Sequence, residues 1–190
     1  MTAFQIVAIG ASWGGLEALG VVLAGLPAHF RPAIVVAQHR GSDGPAHLAQ
    51  ALSAKTSLTV IEPYDKDALE TAHVYVAPPG YHLLVDRDSV SLSTDEPERF
   101  SRPSIDVLFE SVADTFAEEA IGVILTGASD DGSAGLARMR RRGALTIAQE
   151  PATAARPRMP EAAIAAGGVG KVLPLADIAA FLVTVNGDGA

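Results

Sequence analysis

Three residues of this chain have the types that together carry out nucleophilic attack on a carbonyl: Ser12, His39 and Asp131. A serine hydroxyl is too weakly acidic to attack alone, so an imidazole must take its proton and a carboxylate must fix the imidazole tautomer and stabilise the imidazolium. All three come just after an apolar run. Ser12 stands in Gly10-Ala11-Ser12-Trp13-Gly14-Gly15, His39 closes Val36-Ala37-Gln38-His39, and Asp131 lies in Leu125-Thr126-Gly127-Ala128-Ser129-Asp130-Asp131-Gly132. In open α/β sheets the ligand crevice lies outside the carboxyl ends of the strands, so residues at these positions converge on one edge. The glycine-flanked turn around Ser12 also directs free backbone N–H groups of a helix start toward the hydroxyl. Trp13, Gly14 and Ala128 are therefore the candidates for an oxyanion hole or substrate pocket.

Taken singly, each residue has a plainer reading. Ser12 is an acceptable helix N-cap, His39 an ordinary polar crevice residue, and Asp131-Gly132 a common turn pair. The case rests on their joint occurrence at strand ends of one sheet. Of the other histidines, His29 and His47 are expected at the surface, and His82, after Pro79-Gly80-Tyr81, at the rim of the cleft. Arg102 and Ser104 are expected either to line that cleft or to start a helix. Gly10-x-x-x-Gly14-Gly15 after a strand is close to a dinucleotide phosphate loop, which makes a nucleotide-binding oxidoreductase an alternative. However, Leu16 occupies the place of a third spaced glycine, and strand two ends in Gln38-His39 without a ribose-binding acid. The order Ser, His, Asp also differs from the Ser, acid, His order of the α/β-hydrolases.

The elements that must position these residues alternate short β-branched runs with helical stretches, the pattern of a doubly wound, mainly parallel sheet with helices on both faces. Strands are predicted at 4–9, 33–37, 58–61, 73–77, 121–125 and 145–148. A helix from Gly14–Gly15 carries the stripe Leu16, Leu19, Leu23 and Leu26 and stops at Pro27. Segments 83–85 and 90–92 form an antiparallel hairpin, which makes the sheet system mixed. Ser104 caps a helix with the stripe Ile105, Leu108, Phe109, Val112 and Phe116. Further helices are predicted at 47–54, 134–141, 160–166 and 176–183, with a loop over 149–160. One domain is expected, with a core at about 4–183 and a flexible tail at 184–190.

Composition bounds the function. The 190 residues are 48% hydrophobic, enough for one core of ordinary size, and no stretch approaches the roughly 18 apolar residues of a membrane span. No basic leader precedes Phe4, so a soluble, cytoplasmic protein without membrane insertion is expected. The absence of cysteine excludes disulfides, thiolate nucleophiles and Cys-based zinc sites. A net charge of −8 argues against nucleic-acid binding. The basic run of Arg138, Arg140, Arg141 and Arg142 reads as the solvated last turn of a helix, with docking of an acidic partner as the alternative. The chemistry of the three residues needs no metal and no organic cofactor.

Several longer motifs carry a resemblance. Gly10-Ala11-Ser12-x-Gly14-Gly15, Gln38-His39, Ala77-Pro78-x-Gly80-x-His82-Leu83-Leu84-Val85, Arg102-Pro103-Ser104-x-Asp106-Val107-Leu108-Phe109, Leu125-Thr126-Gly127, Asp131-Gly132, Thr146-Ile147-Ala148-Gln149 and Met159-Pro160 resemble, in order, the motifs of CheB-type methylesterase catalytic domains. The resemblance spans about residues 5 to 182. It implies hydrolysis of glutamyl methyl esters on methylated chemoreceptor helices with release of methanol, and in many members deamidation of receptor glutamines. Ser12, His39 and Asp131 fall on the family's nucleophile, base and orienting acid. The chain departs from the family at Trp13, at Ala128-Ser129, at Arg40-Gly41-Ser42 after the histidine, and at Ala155-Arg156-Pro157-Arg158. These changes bear on substrate choice and receptor docking. No receiver module precedes Phe4, so control by phosphorylation within this chain is not expected; the chain is either a standalone hydrolase regulated in trans, with a response regulator as the candidate partner, or an excised piece. A domain that keeps the fold and binds a signalling partner without turnover is the non-enzymatic alternative.

Overall fold

A computed structural model describes residues 4–40 and 47–187. Its centre is a seven-stranded sheet in the order β3-β4-β2-β1-β7-β8-β9. The strands are β1 (Ile6–Ala11), β2 (Ala33–Gln38), β3 (Thr59–Ile61), β4 (His73–Val76), β7 (Ala120–Ile124), β8 (Leu145–Gln149) and β9 (Lys171–Leu173). All neighbours pair in parallel. The chain winds outward from β1 through β2, then returns to the other side of β1 as β7, so the winding reverses between β1 and β7. That reversal point is where open α/β sheets form their crevice.

Because β1 and β2 are covered on both faces, every residue in them is buried and they read as unbroken apolar runs. Alternate residues divide between two cores. Ile6, Ala8 and Val35 join the core with Leu108, Phe109, Leu136, Met139 and Met159 from α3 (Ile105–Phe116), α4 (Ser133–Arg141) and α5 (Arg158–Ala165). Val7, Ile9, Ile34 and Val36 join the other with Leu19, Leu23, Leu52, Ile178 and Leu182 from α1 (Gly15–Ala24), α2 (Leu48–Ser53) and α6 (Leu175–Asn186). Helices thus lie on both faces. Phe109 is fully buried, and the glycines facing it make the fit: a Cβ on Gly10 would lie 3.2 Å from its Cζ, and one on Gly135 2.7 Å from its Cβ. Phe109→Ala is expected to lower stability by about 3–5 kcal/mol, measured by urea denaturation.

The antiparallel hairpin is present as expected, the apolar stripe of α1 and the start of the tail are corrected, and one strand was missed. The hairpin β5 (His82–Val85) with β6 (Val90–Ser93) is a separate two-stranded sheet, so the main sheet is wholly parallel. Its backbone is met by α3 side chains, Ser111 Oγ accepting from Val85 N–H at 3.2 Å and Thr115 Oγ1 donating to Val85 O at 3.1 Å. The buried stripe of α1 is Ala18, Leu19, Val22 and Leu23, and the helix is capped at Gly25, before Pro27. Leu16 is 42% exposed and lines an apolar recess of about 340 Å³ with Leu48, Ala51 and His39. Strand β9 was not expected, because three half-exposed residues between Gly170 and Pro174 are too short to show a period. Residues 184–186 belong to α6, so a tail cannot begin there; of the expected tail, 188–190 lie outside the described residues.

Candidate active site

The register of the central strands places Ser12 and His39 at neighbouring strand ends. Ala11 pairs with Gln38 across β1 and β2, so Ser12 and His39 are each the first residue past a paired position. His39 N–H donates to Ala11 O at 3.0 Å, while Ser12 N–H crosses to the other side and donates to Thr126 O, beyond β7, at 2.9 Å. Ser12 therefore sits between β2 and β7, at the point where the winding reverses. Its side chain is packed close to the loop after β7: a Cβ on Gly127 would lie 2.9 Å from Ser12 Cβ. The turn that follows is sharp because Gly14 has φ +79°, a left-handed conformation suited to glycine. A Cβ on Gly15 would lie 1.9 Å from Gln38 Oε1, so the glycine leaves room for the amide whose Nε2 donates to Ser12 O at 2.8 Å.

Asp131 reaches the same edge from the loop between β7 and α4. Its Oδ2 lies 2.7 Å from His39 Nε2. It is fully buried and accepts three further hydrogen bonds, from Ser104 Oγ at 3.0 Å, Ile105 N–H at 2.7 Å and Asp106 N–H at 3.0 Å. These donors are the cap and first residues of α3, whose orphan N–H groups and positive dipole end favour a carboxylate. Burial pushes the Asp131 carboxyl up; the His39 bond and the Ile105 and Asp106 N–H groups outweigh it and hold the group below its ordinary value. With Asp131 ionised, the bond to His39 requires a proton on Nε2. That leaves Nδ1 as the basic nitrogen.

The neighbouring carboxyl behaves in the opposite way. Burial pushes Asp106 up to about 6, and the Asp131 charge adds to this against the pull of Gly135 N–H and Arg99. A carboxyl that is more acidic unfolded than folded makes stability fall as pH rises from about 4 through 6. Asp106→Asn should flatten that decline, so its urea midpoint should gain on the native midpoint between about pH 4.5 and 7; parallel midpoints would contradict this.

The expected pocket residues divide. Trp13 is 65% exposed, Gly14 and Ala128 are exposed, and the N–H groups of Trp13 and Ala128 have no acceptor among the described residues. The Arg156 guanidinium lies 5.4 Å from the centre of the Trp13 ring. Arg102 lines a cleft of about 490 Å³ together with His39, Arg40 and Gly80. His82, expected at the rim, is 2% exposed. Its Nδ1 accepts from Ser104 N–H at 3.1 Å and its Nε2 lies 3.1 Å from Glu96 O, so it braces the cap of α3 from beneath. Ser104 caps α3 and bonds Asp131. His29 and His47 are at the surface, as expected. The arginine run is largely engaged: Arg138 forks onto Asp114 at 2.7 and 2.8 Å, Arg142 also reaches Asp114, and Arg140 bonds the carbonyls of Gly167 and Val169.

Sequence reasoning missed Thr126 as the joint of the site. Its hydroxyl donates to Trp13 O at 2.9 Å and accepts from Arg156 N–H at 2.9 Å, tying the serine turn to the loop before α5. Its N–H donates to Gln149 Oε1, also at 2.9 Å. A polar residue directly after a buried strand was the available signal.

A parallel α/β sheet whose reversal edge carries a serine, a histidine and a buried aspartate has the side-chain set of a serine hydrolase. Residues 7–182 match the family model described as CheB methylesterase, and the chain belongs to that family. The crystal structure of the Thermotoga maritima CheB methylesterase catalytic domain superposes with a TM-score of 0.92 at 30% identity, covering 96% of this chain and 99% of that one. A Leptospira interrogans relative is 39% identical over 184 residues, 96% of this chain and 95% of its own length. The Bordetella pertussis protein named protein-glutamate methylesterase/protein-glutamine glutaminase is 43% identical over 189 residues, and the match spans 54% of its length.

Proposed function

We propose that this chain is a protein-glutamate methylesterase and glutaminase working through Ser12, His39 and Asp131 and an acyl-enzyme. The observation that carries the reading is the 2.7 Å bond between a buried, ionised Asp131 and His39, which follows Gln38, the strand partner of the Ala11 that precedes Ser12. Ser12 Oγ attacks the side-chain carbonyl carbon while its proton passes to His39 Nδ1. The N–H groups of Trp13 and Ala128 receive the oxyanion. Collapse of the tetrahedral intermediate breaks the bond to the methoxy oxygen, and His39 returns the proton to release methanol. Water, deprotonated by His39, then splits the acyl-enzyme to give the glutamate carboxylate and free Ser12. With a glutamine side chain the same steps release ammonia.

Methylated chemoreceptor helices are the substrate, residues 4–183 act as one catalytic unit in the cytoplasm, and a response-regulator partner in trans controls access. No step calls for a metal or organic cofactor. The names of the relatives and the 0.92 match to a CheB catalytic domain support this assignment over an ordinary esterase. The test is methanol release from methylated receptor fragments beside hydrolysis of a small neutral ester. Release from the fragments is expected; hydrolysis of the small ester alone would retain the catalytic residues and reject the substrate.

A further inference from the structure

Arg40 has the burial of a core residue and too few partners for one. Its side chain is 7% exposed, and Nη2 alone is bonded, to Glu62 Oε1 and Ala77 O, each at 2.7 Å. Nε and Nη1 are buried and have no acceptor among the described residues. Three of the five N–H bonds of a guanidinium therefore have no protein acceptor among the described residues, and buried groups in that condition are rare unless water or a ligand completes them. Arg102 is half-buried and has one such group. Its Nη1 donates to the carbonyls of Thr94 and Asp95 at 2.8 and 2.9 Å, and its Nε is buried without an acceptor. Both arginines line the cleft of about 490 Å³ that also holds His39.

The charges do not cancel. Glu62 balances one cation, while the partners of Arg102 are neutral carbonyls. The acids nearby on the chain, Asp95, Glu96 and Glu98, are exposed and screened by solvent, whereas buried charges are screened much less. Phe100, fully exposed, stands at the lip of the same cleft. Its turn is fixed by mutual hydrogen bonds between Glu98 and Ser101 and by Arg99, which pairs with Asp106 at 3.2 Å and Asp130 at 3.1 Å.

We infer that this cleft is a carboxylate subsite, taking an acidic side chain of the substrate protein close to the ester that Ser12 cleaves. The inference rests on the hydrolase reading proposed above. A carboxylate accepts two parallel N–H bonds from a guanidinium edge; Nε with Nη2 is such an edge on Arg102, whose Nη1 is already engaged, while Arg40, with Nη2 engaged, offers single N–H bonds from Nε or Nη1. Phe100 at the lip packs against an apolar neighbour, so the cleft selects a segment that offers an acid and an apolar residue beside the methylated glutamate.

The test uses two synthetic peptides, each with one glutamyl methyl ester, flanked by glutamates in one and by serines, which the enzyme does not deamidate, in the other. The kcat/KM for methanol release is measured with the native protein, Arg40→Gln and Arg102→Gln, each checked for folding by circular dichroism. The native protein is expected to prefer the glutamate peptide by about tenfold or more. That ratio should fall toward one in each folded variant and shrink with added salt. Arg40→Gln leaves Glu62 unpaired and can unfold; the native ratio and Arg102→Gln then decide. Equal Ser12-dependent hydrolysis of both peptides by the native protein, or a preference that survives in the folded variants, overturns the subsite and leaves the hydrolase standing. Hydrolysis of neither peptide overturns the hydrolase reading, and the subsite with it.

Discussion

Ser12→Ala is expected to lower turnover of a glutamyl methyl ester by on the order of 10⁶-fold, the loss typical of removing a serine nucleophile. The fold should not notice. The hydrogen bonds that hold the turn run through backbone atoms: Ser12 N–H to Thr126 O, Gly15 N–H to Ser12 O, and Gln38 Nε2 to Ser12 O. Alanine keeps all three. Stability should therefore stay within about 0.5 kcal/mol of the native protein, as for changes that disturb no packing. Methanol release and a urea titration on the same preparation check both halves. Full activity with Ser12→Ala would remove the nucleophile from the account, whereas loss of activity with loss of folding would show that the turn depends on the hydroxyl.

Asp131→Asn should have the second largest effect, about 10⁴-fold in kcat, because an amide facing His39 Nε2 can stabilise the wrong tautomer. It should also destabilise. Asp131 accepts from Ser104 Oγ and from the N–H groups of Ile105 and Asp106 as well as from His39, and an asparagine has one acceptor oxygen for two such sets. A buried donor left without its acceptor costs about 1–3 kcal/mol, and the charge at the start of α3 is lost besides. The acid limb distinguishes the two proteins. Since the folded Asp131 lies below its ordinary value, its contribution is complete above about pH 4 and is lost as pH falls through the folded value. Native urea midpoints should drop more steeply below about pH 4 than those of Asp131→Asn.

What could be read from the sequence followed from burial. Strands covered on both faces appear as continuous apolar runs, so Ser12, His39 and Asp131 stand out as the polar residues that come after them. Ser104 was legible as a cap because its helix has a regular stripe. Its second bond, to Asp131, was not, since it spans 27 residues and depends on how α3 meets the loop after β7. His82 was misplaced at the rim for the same reason: its partners Glu96 and Ser104 are 14 and 22 residues away. Leu16 fits a helical apolar stripe on paper, but the helix turns that position toward the recess beside His39. Arg40 could not be read as buried from a single basic residue after a strand. The hairpin's bonds to α3 run likewise through Ser111 and Thr115, which mark no pattern in sequence.

The central claim is that Ser12 is a nucleophile activated by His39. A fluorophosphonate probe followed by peptide mass spectrometry tests it most directly, because such probes mark only serines made reactive by a neighbouring base. One adduct is expected, on the peptide containing Ser12, formed in the native protein and abolished in His39→Ala. An unlabelled native protein, or an adduct on another serine, would contradict the account.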